Sequence, residues 1–478
     1  MRHKQPAQPG YFFAKGSIEL GHVIKDSFKN IGSVIKKCLP EFTKMKNKWA
    51  THGFFALVST IPNVFMIAFW LSAFLISIIV TPLACLTISI FQVVILFVGY
   101  IVVFIIYLII ALFDRIYCIL HAITTDCPNC QRRFILPIYT CTCGIKHDRL
   151  LPGYYGIFKR ICNCGQKLST TFWNGREKLS ASCPNCTHQL KDGGLNASWC
   201  IPVVGSPSSG KTCYINMTMM TFESLALPKY GLSYTYENNG LDEFQKISAR
   251  LKSCQVPVKT ADNRLRYYQF SLTPPGEKKQ LVSLCDVAGE LFDVSISGDK
   301  INEQIGFRYA NAFLLLIDPL AITKFRNEIS NTNNLNGYNG STQPIDELVT
   351  ILIDTLQKML SIKSNAFLDS NVAVVFTKID MPGLDEIIGE KAVLRNITST
   401  DSKTRLKAQN DLCDQFLRKY DEDNFIKILS QFKNVQYFTC SALGHVDNGQ
   451  PFNATKVEEP LLWLLSKTSK VIEKTIKF

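Results

Sequence analysis

Sixty-five consecutive residues, Trp49 to Phe113, contain no Asp, Glu, Lys or Arg. Charged residues make up 19% of the chain, so a run of this length arises by chance about once in a million starts. From Phe54 it reads as two apolar arms of about 27 residues, ~40 Å each as helix, on either side of TPLAC. Either arm exceeds the ~30 Å hydrocarbon layer of a bilayer. Thr81-Pro82 is the predicted break, because proline lacks an N–H and steers the preceding residue away from helix. Three spans would leave no residues for loops, so residues 54–113 are expected to form a two-helix transmembrane hairpin. Buried helices of a soluble core keep a polar face over this length. A cleaved signal peptide has a shorter apolar core, closer to the N-terminus.

The net charge of +13 flanks this block. Residues 1–48 hold ten basic and three acidic residues, residues 114–200 eleven and five, and residues 201–478 thirty-one of each. Lys44, Lys46 and Lys48 before the block, and Arg115, Arg132 and Arg133 after it, put both ends of the hairpin on the cytoplasmic side. The expectation is an integral membrane protein with both termini cytoplasmic and the lipid bilayer as a partner. A nucleic-acid binder would carry its basic excess on the folded domain, so nucleic acid is not an expected partner. Residues 1–53 read as a basic cytoplasmic segment. Val23, Phe28, Ile31, Val34 and Ile35 recur near helical spacing with lysines between them, which suits a helix on anionic lipid or a solvated one.

Residues 114–198 hold four cysteine pairs: Cys127/Cys130, Cys141/Cys143, Cys162/Cys164 and Cys183/Cys186. The spacings C-x2-C, C-x-C, C-x-C, C-x2-C are mirror-symmetric, and two tetrahedral Zn²⁺ sites of four thiolates use all eight. The expectation is a double zinc-ribbon module with two structural sites. The simplest assignment joins 127/130 with 141/143 and 162/164 with 183/186, with interleaved pairing left open. Disulfides are disfavoured on the reducing, cytoplasmic side of a membrane.

GSPSSGKT, Gly205 to Thr212, matches G-x-x-x-x-G-K-[ST] between the strand-like WCIPVV and the helix-like CYINMTMMTF. In that context the N–H groups of Ser208, Ser209, Gly210, Lys211, Thr212 and Cys213 cradle phosphates, Lys211 reaches the β- and γ-phosphates, and Thr212 ligates Mg²⁺. Pro207 removes one donor from the cradle. Downstream, LVSLCDVAGE ends an apolar strand at Asp286, a second Mg²⁺ ligand, with Gly289 facing a γ-phosphate. NVAVVFTKIDM ends a strand in Thr377, Lys378 and Asp380, and VQYFTCSALG ends one in Ser441-Ala442. Four apolar strands each ending in such a motif describe the ligand-binding edge of an open α/β sheet.

Residues 199–478 resemble a Ras-like P-loop GTPase domain of the translation-factor-related class. GSPSSGKT, DVAG, TKID and SAL stand at that family's phosphate, Mg²⁺/γ-phosphate, guanine-specifying and guanine-supporting motifs. The resemblance implies a doubly wound α/β sheet, GTP/GDP as ligand and Mg²⁺ as cofactor. It implies that Asp380 accepts from guanine N1 and N2, that Lys378 packs on the base, and that Ser441 and Ala442 support it. Thr377 stands where asparagine is usual. Glu290 stands where many members place a water-orienting glutamine, which implies slow hydrolysis unless a partner supplies an arginine. Thr260 is the candidate switch threonine. The succession of membrane hairpin, paired zinc ribbons and P-loop domain also resembles the bacterial double-GTPase family, which implies a protein partner.

ANAFLLLIDPL (310–320) reads as a further strand, residues 325–344 as a long surface loop and residues 347–360 as an amphipathic helix. The functional expectation is a membrane-anchored GTPase acting as a conformational switch with an effector or activator. The alternative is a membrane scaffold that recruits partners through its zinc ribbons and binds nucleotide structurally. Dimerisation stays open.

Overall fold

The computed structural model describes residues 6–11, 15–51, 61–120, 125–127, 130, 132–190, 197–237, 240–257, 266–277, 279–287, 310, 312–332, 335, 337–360, 368–399, 401–446 and 448–476. The chain divides into two compact units: Met1–Leu120 with Leu136–Ser182 and Gln189–Gly193, and His121–Ile135 with Cys183–His188 and Gly194–Phe478.

The first unit starts with β1 (Ala7–Gln8) and α1 (Lys15–Thr51), followed by α2 (Ile61–Leu75), a π-turn (Ile76–Val80) and α3 (Thr81–Leu120). The sequence predicts a break at Thr81-Pro82, yet the helix runs through it, and Thr81 keeps φ −66° and ψ −45°. Pro82 has no N–H for the ladder, and one widened turn absorbs the loss. Thr81 donates both its N–H and its hydroxyl, the latter at 3.1 Å, to Ile76 O. Leu71–Leu120 is long and apolar enough to cross a membrane. A reversal into two spans is not present among the described residues. Phe91, Phe97 and Phe113 stand exposed along α3, while Asp114 and Cys118 at its foot are buried. α1 lies against α2, the π-turn and α3.

Asp114 ends the uncharged stretch in a buried joint. Arg176 Nη1 donates to Asp114 Oδ2 at 3.1 Å, and the two side chains are 1% and 2% exposed. The Phe172 N–H donates to the other carboxylate oxygen at 2.8 Å, and Nη1 also reaches Thr170 O at 2.7 Å. Tyr117 packs on Phe172, ring centroids 5.5 Å apart. A buried ion pair holds only when its remaining donors and acceptors are satisfied. Here backbone groups of the ribbon segment satisfy Arg176 Nη1 and Asp114 Oδ1, tying the segment to the helix end, while Arg176 Nε has no partner among the described residues.

The short strands after α3 are β2 (Thr125–Asp126), β3 (Arg133–Phe134), β4 (Ile138–Thr140), β5 (Lys146–His147), β6 (Lys159–Cys162), β7 (Lys167–Ser169), β8 (Ala181–Ser182) and β9 (Gln189–Leu190). They form the sheets β1-β6-β7 and β5-β4-β8-β9 of the first unit and the β2–β3 hairpin of the second.

The second unit carries a seven-stranded sheet of β10 (Ala197–Gly205), β11 (Ser233–Tyr236), β12 (Arg266–Thr273), β13 (Gln280–Asp286), β14 (Ala312–Ile317), β15 (Leu368–Phe376) and β16 (Phe432–Thr439), ordered β11-β12-β13-β10-β14-β15-β16. β13, β10, β14, β15 and β16 run parallel, and β12 and β11 form an antiparallel extension. β14 is buried at every residue, as expected where helices cover both faces. Phe313, Leu315 and Ile317 pack with Leu348 and Leu352 of α6 (Ile345–Leu360) and Phe416 of α7 (Ser402–Lys419). Leu314 and Leu316 pack with Ile215 and Met219 of α4 (Lys211–Tyr230) and Leu461 and Leu465 of α8 (Glu459–Thr468). The segment 325–344, predicted as loop, begins inside helix α5 (Thr323–Thr332).

Candidate functional site

Gly205 ends β10 and Lys211 opens α4, so the loop between them is clamped from both sides. A Cβ on Gly205 would lie 2.6 Å from Ser209 Oγ and 2.9 Å from Leu316 O, too close for any side chain. Ser208 (φ 66°) and Gly210 (φ 88°) take left-handed torsions that fold the loop back on itself. The Ser209 hydroxyl is buried without a hydrogen-bond partner among the described residues. The positive end of the α4 dipole adjoins the same loop. A closely wrapped backbone, an orphaned donor and a helix N-terminus fit a polyphosphate. Lys211 Nζ lies on its own loop, donating to Gly205 O at 2.7 Å and Ser206 O at 3.0 Å.

The other motifs converge on this loop. β13 ends at Asp286 in parallel register with Val203 of β10, and the Thr212 hydroxyl donates to Asp286 Oδ2 at 3.0 Å. Two adjacent oxygens of this kind suit Mg²⁺. β15 delivers Thr377, whose hydroxyl lies 3.2 Å from Ser209 O and 3.2 Å from Ile317 O. Lys378 Nζ donates to Ser208 O at 3.1 Å. The Ile379 N–H donates to Cys440 O at 3.2 Å, which sets Ser441 next to the loop carrying Asp380. Ser441 Oγ accepts from the Gly444 N–H at 2.7 Å, and Ala442 packs against the cluster of Met217, Ile247 and Leu251. Burial, reinforced by the Asp286 charge, pushes the Cys213 thiol up to about 11, so it stays protonated and inert at neutral pH. Thr260, Gly289 and Glu290 lie outside the described residues.

Three residues at this edge were not legible as site residues. Asp318, fully buried at the end of β14, accepts from Lys378 Nζ at 2.7 Å and from the N–H groups of Leu320 and Ser341. Its signal was present, a strand ending in Asp-Pro as another ends in Asp286. Asn339 accepts through its backbone O from Lys378, and the Tyr338 hydroxyl contacts Asp380. Both sit in the Asn/Gly-rich segment, whose composition carries no such signal.

The cysteines group as Cys127, Cys130, Cys183 and Cys186, and as Cys141, Cys143, Cys162 and Cys164. This nested arrangement corrects the expected pairing of neighbours along the chain. Like knuckles pair with like: Gly144 N–H bonds Cys141 O as Gly165 N–H bonds Cys162 O, and Cys127 N–H bonds Arg132 O as Cys183 N–H bonds His188 O. Sulfur separations of 3.4 and 3.7 Å in the first group and 3.4 and 3.8 Å in the second exclude disulfides, which need ~2.05 Å. They match thiolates on a tetrahedron of ~2.3 Å bonds. The Gln166 N–H, ahead of neighbouring thiols, draws Cys164 down to about 7, which favours its thiolate. Metal content should therefore fall from two equivalents to one in a Cys127→Ser/Cys186→Ser variant and to none in Cys127→Ser/Cys141→Ser. Equal loss in both would contradict the nesting.

No curated protein matches the chain. Residues 199–429 match the family model described as Double-GTPase 2, a span that includes Lys211, Asp286 and Asp380 and ends before Ser441. Over this stretch the chain is similar to the double-GTPase family.

Proposed function

We propose that the protein is a membrane-anchored GTPase in which GTP binding and hydrolysis switch the loops around the phosphate site. The observation that carries this is the hydrogen-bonded chain Asp286–Thr212, Ser209–Thr377 and Ser208–Lys378, which joins three distant motifs at one sheet edge. Lys211 leaves its loop carbonyls for the β- and γ-phosphates, and Asp380 accepts from the guanine edge. Adenine lacks that pair of adjacent donors. Thr212 and Asp286 would hold Mg²⁺, which when bound would supply positive charge to offset that of the phosphates. Thr377 and Lys378 couple the base loop to the phosphate loop, so both close on one ligand.

The apolar stretch within Leu71–Leu120 supports the anchoring. Basic residues on both of its flanks favour cytoplasmic ends. The full chain purified in detergent should bind GTP at least a hundredfold more tightly than ATP and turn it over slowly without a partner arginine. Tight binding with no turnover even with cellular partners would favour a scaffold. Preferential ATP turnover would contradict the reading.

A further inference from the structure

Residues 337–341 lie against the loop that carries Lys378 and Asp380. Gly337, at φ 90°, packs so closely on the loop after Ser441 that a Cβ would lie 2.2 Å from Val446 Cγ1. A Cβ on Gly340 would lie 2.9 Å from Leu320 Cβ. Ser341 N–H donates to Asp318 Oδ2 at 2.9 Å, and Asn339 O accepts from Lys378. Between these fixed points the Tyr338 hydroxyl lies 3.1 Å from Asp380 Oδ2 and 3.2 Å from Asp380 O. Its ring packs partly buried against the hydrophobic core, and its N–H donates to Leu335 O at 3.1 Å. A phenol fixed at both ends is a support for the carboxylate rather than a side chain passing by. Burial, and the Asp380 charge next, raise its pKa, so the hydroxyl remains a donor.

We propose that Tyr338 is a positioning residue for base specificity: its hydroxyl holds Asp380 in the plane in which the carboxylate accepts two hydrogen bonds from guanine. This rests on the guanine reading of Asp380 given above. A carboxylate oxygen has two acceptor directions. A donor already occupying one of them on Oδ2, and the same residue's carbonyl, fixes the χ angles of Asp380 before the base arrives. The gain falls on two-point recognition, where both oxygens must face the two guanine donors together. A ligand offering one donor tolerates a rotated carboxylate.

The test measures GTP and ITP affinities for the full-length protein and its Tyr338→Phe variant, since hypoxanthine keeps N1–H and lacks the 2-amino donor. Tyr338→Phe should weaken GTP about tenfold while changing ITP less than about threefold, narrowing discrimination without moving the unfolding midpoint. A Tyr338→Ala variant, which also removes core packing, should lower the midpoint and weaken both nucleotides. Equal losses of GTP and ITP in Tyr338→Phe, or no loss, would overturn the positioning role while leaving guanine recognition intact. A wild-type protein that does not discriminate GTP from ITP would overturn the guanine reading itself, and the role of Tyr338 with it.

Discussion

Lys211→Ala should weaken GTP binding by a hundredfold or more and abolish turnover in the detergent-purified protein. The Lys211 ammonium is nine-tenths buried and donates to two carbonyls of its own loop. On the proposed binding it would exchange these for phosphate oxygens, and charge-assisted bonds of this kind contribute about 1.5–3 kcal/mol each. Losing two of them corresponds to at least two factors of ten. Lys211→Arg should not rescue, because the planar fork is wider than the ammonium and the loop is closed around Gly205. Zinc content should be unchanged, since none of the eight grouped cysteines belongs to this loop. Equilibrium binding of a fluorescent GTP analogue checks this. A loss below tenfold would mean that Lys211 does not face the phosphates.

Asp114→Ala should destabilise the first unit by about 3–5 kcal/mol, the cost of leaving a buried guanidinium without its counter-charge. Arg176 would keep Thr170 O at 2.7 Å and Leu150 O at 3.3 Å, which solvate but do not neutralise it. Replacing both residues by apolar side chains of similar volume should recover most of the loss, because the desolvation cost of both charges disappears. Denaturant unfolding followed by Trp173 fluorescence, one residue from the Phe172 N–H that also binds Asp114, reads the effect. A change under 1 kcal/mol would show that packing, not the ion pair, joins the helix to the ribbon.

The phosphate loop, Asp286, the TKID loop and Ser441 were legible in the sequence because each is a short local pattern at the end of an apolar strand. Local chemistry of that kind survives without knowledge of the fold. The zinc grouping was not, because it depends on which hairpins meet. Ile138 pairs with Ser182 across more than forty residues of chain, and spacing within a knuckle says nothing about such closure. In the sequence Pro82 reads as a break, whereas the Thr81 hydroxyl and a single π-turn carry the helix past it. Asp318 and Tyr338 were missed for a related reason: their role comes from contact with Lys378 and Asp380, far away in the chain.

Base specificity tests the central claim most directly. Titrating the full-length protein and its Asp380→Asn variant with GTP and XTP should show wild-type preference for GTP and a reversal toward XTP in the variant, because the amide can donate to the xanthine 2-oxo group where the carboxylate could only accept. A variant that still prefers GTP, or a wild-type protein that binds neither, would contradict a guanine site built from these motifs.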